Sequence, residues 1–134
     1  MKLKVAYWVV TGLVSLSAAG SAFLYLTDAP AMVSAFEHLG YPAYFRTLLG
    51  IAKLLGVVAL WAPLPRTVRE WAYAGFAIDF VAAAVSHTAM GDPAGKSVAP
   101  VALFALLIAS HQLWHRVSSG ASAEPVAQAR PAGA

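Results

Sequence analysis

Four long apolar stretches divide the sequence, each close to the roughly 20 residues that an α-helix needs to cross a hydrocarbon layer. The first occupies residues 5–26, carries no charge, and follows Lys2 and Lys4. The second covers 45–62, with Arg46 near its start and Lys53 near its middle. The third covers 71–90 and contains Asp79 and His87; the fourth covers 98–115, with Pro100 in its first turn. The apolar residues fall in continuous blocks rather than one-sided stripes, as expected of helices that face lipid on one side and each other on the opposite side. The pattern predicts an all-α chain, a transmembrane four-helix bundle.

The breaks between blocks carry turn chemistry. Asp28 and Pro30 stop the first helix, and residues 31–39 have room for a short interfacial helix in the first external loop. Gly40-Tyr41-Pro42 turns the chain, with Tyr41, Tyr44 and Phe45 suited to the headgroup level. Pro63-Leu64-Pro65 ends the second block, Arg66, Arg69 and Glu70 read as a short basic loop, and Gly91-Asp92-Pro93 breaks the third helix. Residues 1–117 form the membrane domain; 118–134, rich in Ala, Ser, Pro and Gly without periodicity, read as a disordered cytoplasmic tail. A basic start, an apolar run and small residues also compose a signal peptide. The first block continues through Phe23 and Leu26, however, and is long enough to be a retained span.

Composition agrees with a membrane assignment: of 134 residues, 60% are hydrophobic and only 11% charged, against about 25% charged in a soluble domain. The absence of cysteine excludes disulfides, thiolate metal sites, iron–sulfur clusters and thiol-disulfide chemistry. A net charge of +3 is too small and scattered for nucleic-acid binding. The basic residues instead give orientation: Lys2, Lys4, Arg66, Arg69, Arg116 and Arg130 fall on one side of a four-span topology. Lys96 and the boundary residue Arg46 fall on the other, beside Asp28, Glu37 and Asp92. The positive-inside rule then places both termini in the cytoplasm.

Charges inside the bilayer cost a few kcal/mol even on lenient scales, so Lys53 and Asp79 call for an explanation. Counting about 1.5 Å per residue from the intervening loop puts them at nearly equal depth on antiparallel neighbours, which predicts an ion pair. Arg46 and His87 lie two helical turns further out, beneath the loop with Glu37 and His38. Glu37, Arg46, Lys53, Asp79 and His87 thus outline a polar seam and form the candidate ligand-binding set. A purely structural role, fixing helix register, competes evenly with ligand binding for Lys53 and Asp79, and is favoured for Arg46 and His87. His111 and His115 have i, i+4 spacing, which presents two ligands on one helical face. Beside Trp114 and Arg116 they read as interfacial histidines; no metal ligand and no catalytic residue is assigned. His87 and His111 lie near opposite membrane faces, which argues against a shared haem. Ala52-x-x-x-Gly56 and similar small-residue spacings belong to helix packing.

The segments His38-Leu39-Gly40-Tyr41-Pro42-Ala43-Tyr44-Phe45, Leu49-Gly50-Ile51-Ala52-Lys53-Leu54-Leu55-Gly56, Glu70-Trp71-Ala72-Tyr73-Ala74-Gly75-Phe76, and Ser86-His87 with Gly91-Asp92 together resemble the DoxX-like family of small bacterial membrane proteins. The resemblance implies a four-helix membrane bundle and a multi-pass protein of the inner (plasma) membrane. It implies a redox link only weakly, through a family member associated with a quinone-reducing oxidase, since a fold does not fix a function. Three functions are then in view. The first is an accessory subunit without intrinsic catalysis, whose seam binds a small lipophilic molecule such as a quinone, or a partner helix. The second is a quinone-linked oxidoreductase subunit, with Glu37, Arg46 and His87 holding a quinone carbonyl. The third and weakest is a small transporter, which lacks an acidic residue in the first helix. The expected partners are the lipid bilayer and a membrane protein or a second copy of the chain; no cofactor of the chain's own is expected.

Overall fold

The computed structural model describes residues 1–128 and contains five helices, with no strand among the described residues. They are α1 (Lys2–Leu26), α2 (Pro30–His38), α3 (Ala43–Trp61), α4 (Arg66–Ala89) and α5 (Gly95–Gln128). α1 packs on α3 and α5, and α4 packs on α3 and α5, so the four long helices close a ring in which each touches two others. α2 caps one end, against α1 and α3. Three helices are long and apolar enough to cross a membrane: α1, α3 and residues Gly95–Ala121 of α5. Their outward residues, among them Leu16, Phe23, Leu55 and Val98, are exposed. Such a continuous apolar exterior is what lipid covers in a membrane protein.

The boundaries follow local chemistry. At the end of α1 the Thr27 hydroxyl donates to the Phe23 carbonyl at 2.8 Å. Asp28 then takes a left-handed φ of 53°, a conformation that Asp tolerates better than most residues. Pro30 occupies the first turn of α2, where its missing N–H costs nothing. Pro42 precedes α3 and Pro65 precedes α4, while Gly91, at φ 72°, turns the chain after α4.

Two boundaries differ from the sequence reading. Residues 66–70, expected as a loop, form the first turn and a half of α4. Arg and Glu end an apolar run without ending a helix, since both are good helix formers. The last helix, expected to stop near 115, continues to Gln128, so residues 118–128 are helical rather than irregular. A helix already anchored by packing extends without a new nucleation cost. The remaining residues of the expected tail lie outside those described.

The core gathers Tyr7, Val14 and Ala18 of α1, Leu60 of α3, Tyr73, Phe76 and Phe80 of α4, and Leu107 and Trp114 of α5. Polar links are buried with it. Ser110 bonds Thr11 at 2.7 Å and Tyr73 at 2.8 Å, joining α1, α4 and α5 through three hydroxyls. Trp61 donates its indole N–H to Ser15 at 2.8 Å, joining α3 to α1. Each hydroxyl of these links finds its partner inside the protein, as an environment without water demands, whereas the buried Tyr7 hydroxyl has none among the described residues. α3 and α4 approach closely at Gly56, where an added Cβ would stand 2.7 Å from atoms of the Phe76 ring.

Candidate functional site

Lys53 and Asp79 meet at the α3–α4 contact. Lys53 Nζ lies 3.0 Å from Asp79 Oδ2, and the two side chains are only 8% and 12% exposed. This is the pairing that the depth count predicts. A second donor of the ammonium reaches Ser21 Oγ on α1 at 3.3 Å, and the Tyr25 ring stands 5.1 Å away, within cation–π range. An ammonium has three N–H donors, so one has no partner among the described residues.

The outer members of the expected seam take separate partners. Arg46, itself buried, forms a short ion pair with Asp28 and donates to the Tyr25 carbonyl at 3.3 Å. It thereby ties the start of α3 to the end of α1. His87 Nδ1 bonds Asp92 Oδ2 at 2.7 Å, and the other oxygen of Asp92 bonds His38 Nε2 at 2.8 Å. One carboxylate therefore links α4, the α4–α5 turn and α2. These two histidine contacts hold the Asp92 carboxyl below its ordinary value of 3.8. Glu37 is exposed and makes no ion pair with a described residue. The structure thus pairs Lys53 with Asp79, sets His87 on the wall of the same cavity but bonded to Asp92, turns Arg46 to a structural anchor, and leaves Glu37 apart. Asp28, Asp92 and Ser21 are the partners that sequence reasoning missed. They lie in turns or among small residues, where no periodicity singles them out.

Between the helices lies a cavity of about 620 Å³, within the usual range for a small-molecule site. Its wall is mainly apolar, including Phe45, Ile78, Phe80 and Leu103, and its polar groups include Ser21, Lys53, Asp79, Ser86 and His87. α2 and the following turn contribute Phe36 and Tyr41. The Tyr41 hydroxyl is 2.7 Å from Ser86 Oγ, and its ring stacks on Phe45. A second recess of about 310 Å³ lies between α3 and α4, on the side where Leu55 and Trp71 are exposed. Both hollows, the larger chamber and the smaller recess, touch Lys53 and Asp79, so the ion pair borders the two.

The opposite end of the long helices holds another polar group. Glu70 of α4 meets His111 and His115 of α5, with Oε2 to His111 Nε2 at 2.7 Å and Oε1 to His115 Nε2 at 3.0 Å. The sequence alone shows the histidine pair without its carboxylate, because the polarity of residues 66–70 reads as a loop whereas Glu70 lies in α4. His87 is held by Asp92 and His111 by Glu70, at opposite ends of α4; the two histidines do not face a common ligand.

No curated protein and no solved structure matches the chain. The model of the DoxX-like family matches residues 9–110, from early α1 to the middle of α5 and including Lys53, Asp79 and His87. The chain belongs to the DoxX-like family and is a membrane protein with long apolar helices.

Proposed function

We propose that this protein is a non-catalytic, multi-pass membrane subunit that holds a small lipophilic molecule in the chamber above Lys53 and Asp79. The occupant is an uncharged, largely apolar molecule with one carbonyl or hydroxyl oxygen, a class that includes quinones. The observation that carries this reading is the pairing of a mainly apolar cavity of about 620 Å³ with an ammonium on its wall that has a donor to spare. Lys53 donates to the ligand oxygen, Asp79 balances the charge, and the aromatic wall takes the apolar body.

In this reading α4 is the fourth span. Its 24 residues extend about 36 Å at 1.5 Å per residue, and its interior carboxylate is neutralised by Lys53 before it meets lipid. The protein is a four-helix transmembrane bundle of the bacterial inner membrane with both termini cytoplasmic. Lys2, Lys4, Arg66 and Arg69 mark the inner end, and α2 caps the outer one.

Quinone-linked redox work is the second reading. His87 lines the chamber and supports it, whereas Arg46 is engaged by Asp28 and Glu37 is exposed. Thermal unfolding of the purified chain in mild detergent tests the proposal, with a short-chain benzoquinone or an aliphatic ketone of similar size added. Both should raise the midpoint in the wild type. Ala83→Phe, which fills the chamber from α4, should remove that rise. Equal stabilisation of Ala83→Phe would place binding elsewhere; stabilisation by the quinone alone would favour the redox reading.

A further inference from the structure

The group formed by Glu70, His111 and His115 stands apart from the chamber and from the α2 end, and the proposal above makes no use of it. Their ligand atoms, one from each residue, all lie within 4.8 Å of one another. The two imidazole Nε2 atoms are 3.2 Å apart and converge on one carboxylate, at 2.7 and 3.0 Å. The i, i+4 step on α5 sets both rings on one face, and Glu70 reaches them because α4 begins at Arg66 rather than at Trp71. All three side chains are about one-third exposed, so an ion can enter from water.

We propose that Glu70, His111 and His115 form a binding site for a divalent transition-metal ion of the zinc class. An ion of this class, bound tetrahedrally at about 2.0–2.1 Å from N and O ligands, sets those ligands roughly 3.3 Å apart. The two imidazole nitrogens already stand near that spacing, at 3.2 Å, and each lies 2.7–3.0 Å from an oxygen of the carboxylate, so rotation of these partly exposed side chains admits the ion. Two imidazoles and one carboxylate select Zn²⁺, Co²⁺ or Fe²⁺ over Mg²⁺ and Ca²⁺, which prefer all-oxygen shells. Three protein ligands leave the fourth position open to water or a small anion. Glu70 lies within the family match, and His111 and His115 lie just beyond residue 110, where the match ends.

Arg66 gives the proposal its distinguishing feature. An Arg66 guanidinium nitrogen stands 2.6 Å from His115 Nδ1, and its Nε is 3.9 Å from Glu70 Oε1. Guanidinium only donates, so in this state His115 Nδ1 accepts and its Nε2 carries the proton toward Glu70. A metal on Nε2 takes the place of that proton, and the neutral ring then carries its proton on Nδ1. The Arg66 donor must then withdraw, and the side chain, 63% exposed, has water to withdraw into. Arg66 is therefore a competitor of the ion, opposing it by charge and by tautomer.

The test is a Co²⁺ titration of the purified, chelator-stripped full chain in mild detergent. It follows visible absorption and the fluorescence of Trp114, whose ring lies 5.0 Å from His115 and 5.9 Å from His111. The wild type should develop a tetrahedral Co²⁺ spectrum, quench Trp114, and lose both signals when Zn²⁺ is added. Glu70→Gln and His115→Gln should weaken binding by more than roughly 100-fold, beyond the 10–100-fold range for outer-shell changes. Arg66→Ala retains all three ligands and should tighten binding on the order of five- to tenfold, as removal of a nearby screened charge predicts. His38→Gln, at the far end, should change nothing. No tetrahedral spectrum in either the wild type or Arg66→Ala would overturn the site, as would equal binding by His115→Gln. Weaker binding by Arg66→Ala would overturn the competitor role.

Discussion

Removing one partner of the Lys53–Asp79 pair is the sharpest perturbation this architecture offers. In Lys53→Met the Asp79 carboxylate keeps its place, 12% exposed, and loses its only ion-pair partner among the described residues. Breaking a buried pair from one side costs about 3–5 kcal/mol. Asp79→Leu strands an ammonium instead, at a cost of the same order. Ser21, at 3.3 Å from Lys53 Nζ, softens this second case by one hydrogen bond.

The two single variants should therefore each lose stability, Asp79→Leu somewhat less than Lys53→Met. The Lys53→Met, Asp79→Leu double variant should recover most of the loss, because an apolar pair leaves nothing unsolvated. Reversible unfolding in mixed detergent micelles, read by far-UV circular dichroism, measures all four proteins. Additive single and double effects would refute the reasoning, since contacting charges must couple.

Three other outcomes follow from named contacts. Gly56→Ala should cost about 1–3 kcal/mol, because the new Cβ meets the Phe76 ring at 2.7 Å; Phe76→Leu in the same chain should return part of that loss in the same unfolding assay. Asp92, with its carboxyl held below 3.8 by His87 and His38, contributes stability that is fully present above that value. The contribution is lost as pH falls further through the folded-state value, so a melting-temperature profile should show a drop below about pH 4 that Asp92→Asn lacks. Because the chain has no cysteine, Leu64→Cys and Ala94→Cys give clean topology reporters. In intact cells an impermeant maleimide should label Ala94→Cys and spare Leu64→Cys, and the reverse pattern would invert the proposed orientation.

The helices were legible in the sequence to the extent that membrane burial dictates them. Long apolar blocks need no tertiary information, and α1, α3, the apolar part of α4 and the start of α5 fall within a few residues of expectation. The short α2 was visible from Pro30 and the turn at Gly40. Hydropathy failed where a helix leaves its apolar block. At Arg66 polarity changes but helix propensity does not, and beyond Ser118 the helix is carried on from its packed part despite Gly120 and Pro125.

The site was legible in the same graded way. Lys53 and Asp79 could be paired because a charge in lipid has few ways to be satisfied, and antiparallel neighbours joined by a short turn fix equal depths. Arg46 and His87 were free of that constraint. Near the helix ends a charge can choose among turn residues, and Asp28 and Asp92 won over the seam. The group at the other end shows how one boundary error propagates into chemistry. With Glu70 in a loop, His111 and His115 have two ligand atoms and no third. With Glu70 on the first turns of α4, the same histidines lie within 3.0 Å of its carboxylate. The helix start is decided by Pro65, five residues earlier, rather than by any property of Glu70 itself. In a chain this apolar, polar residues at the helix ends are placed by backbone punctuation, and their partners become readable only once that punctuation is right.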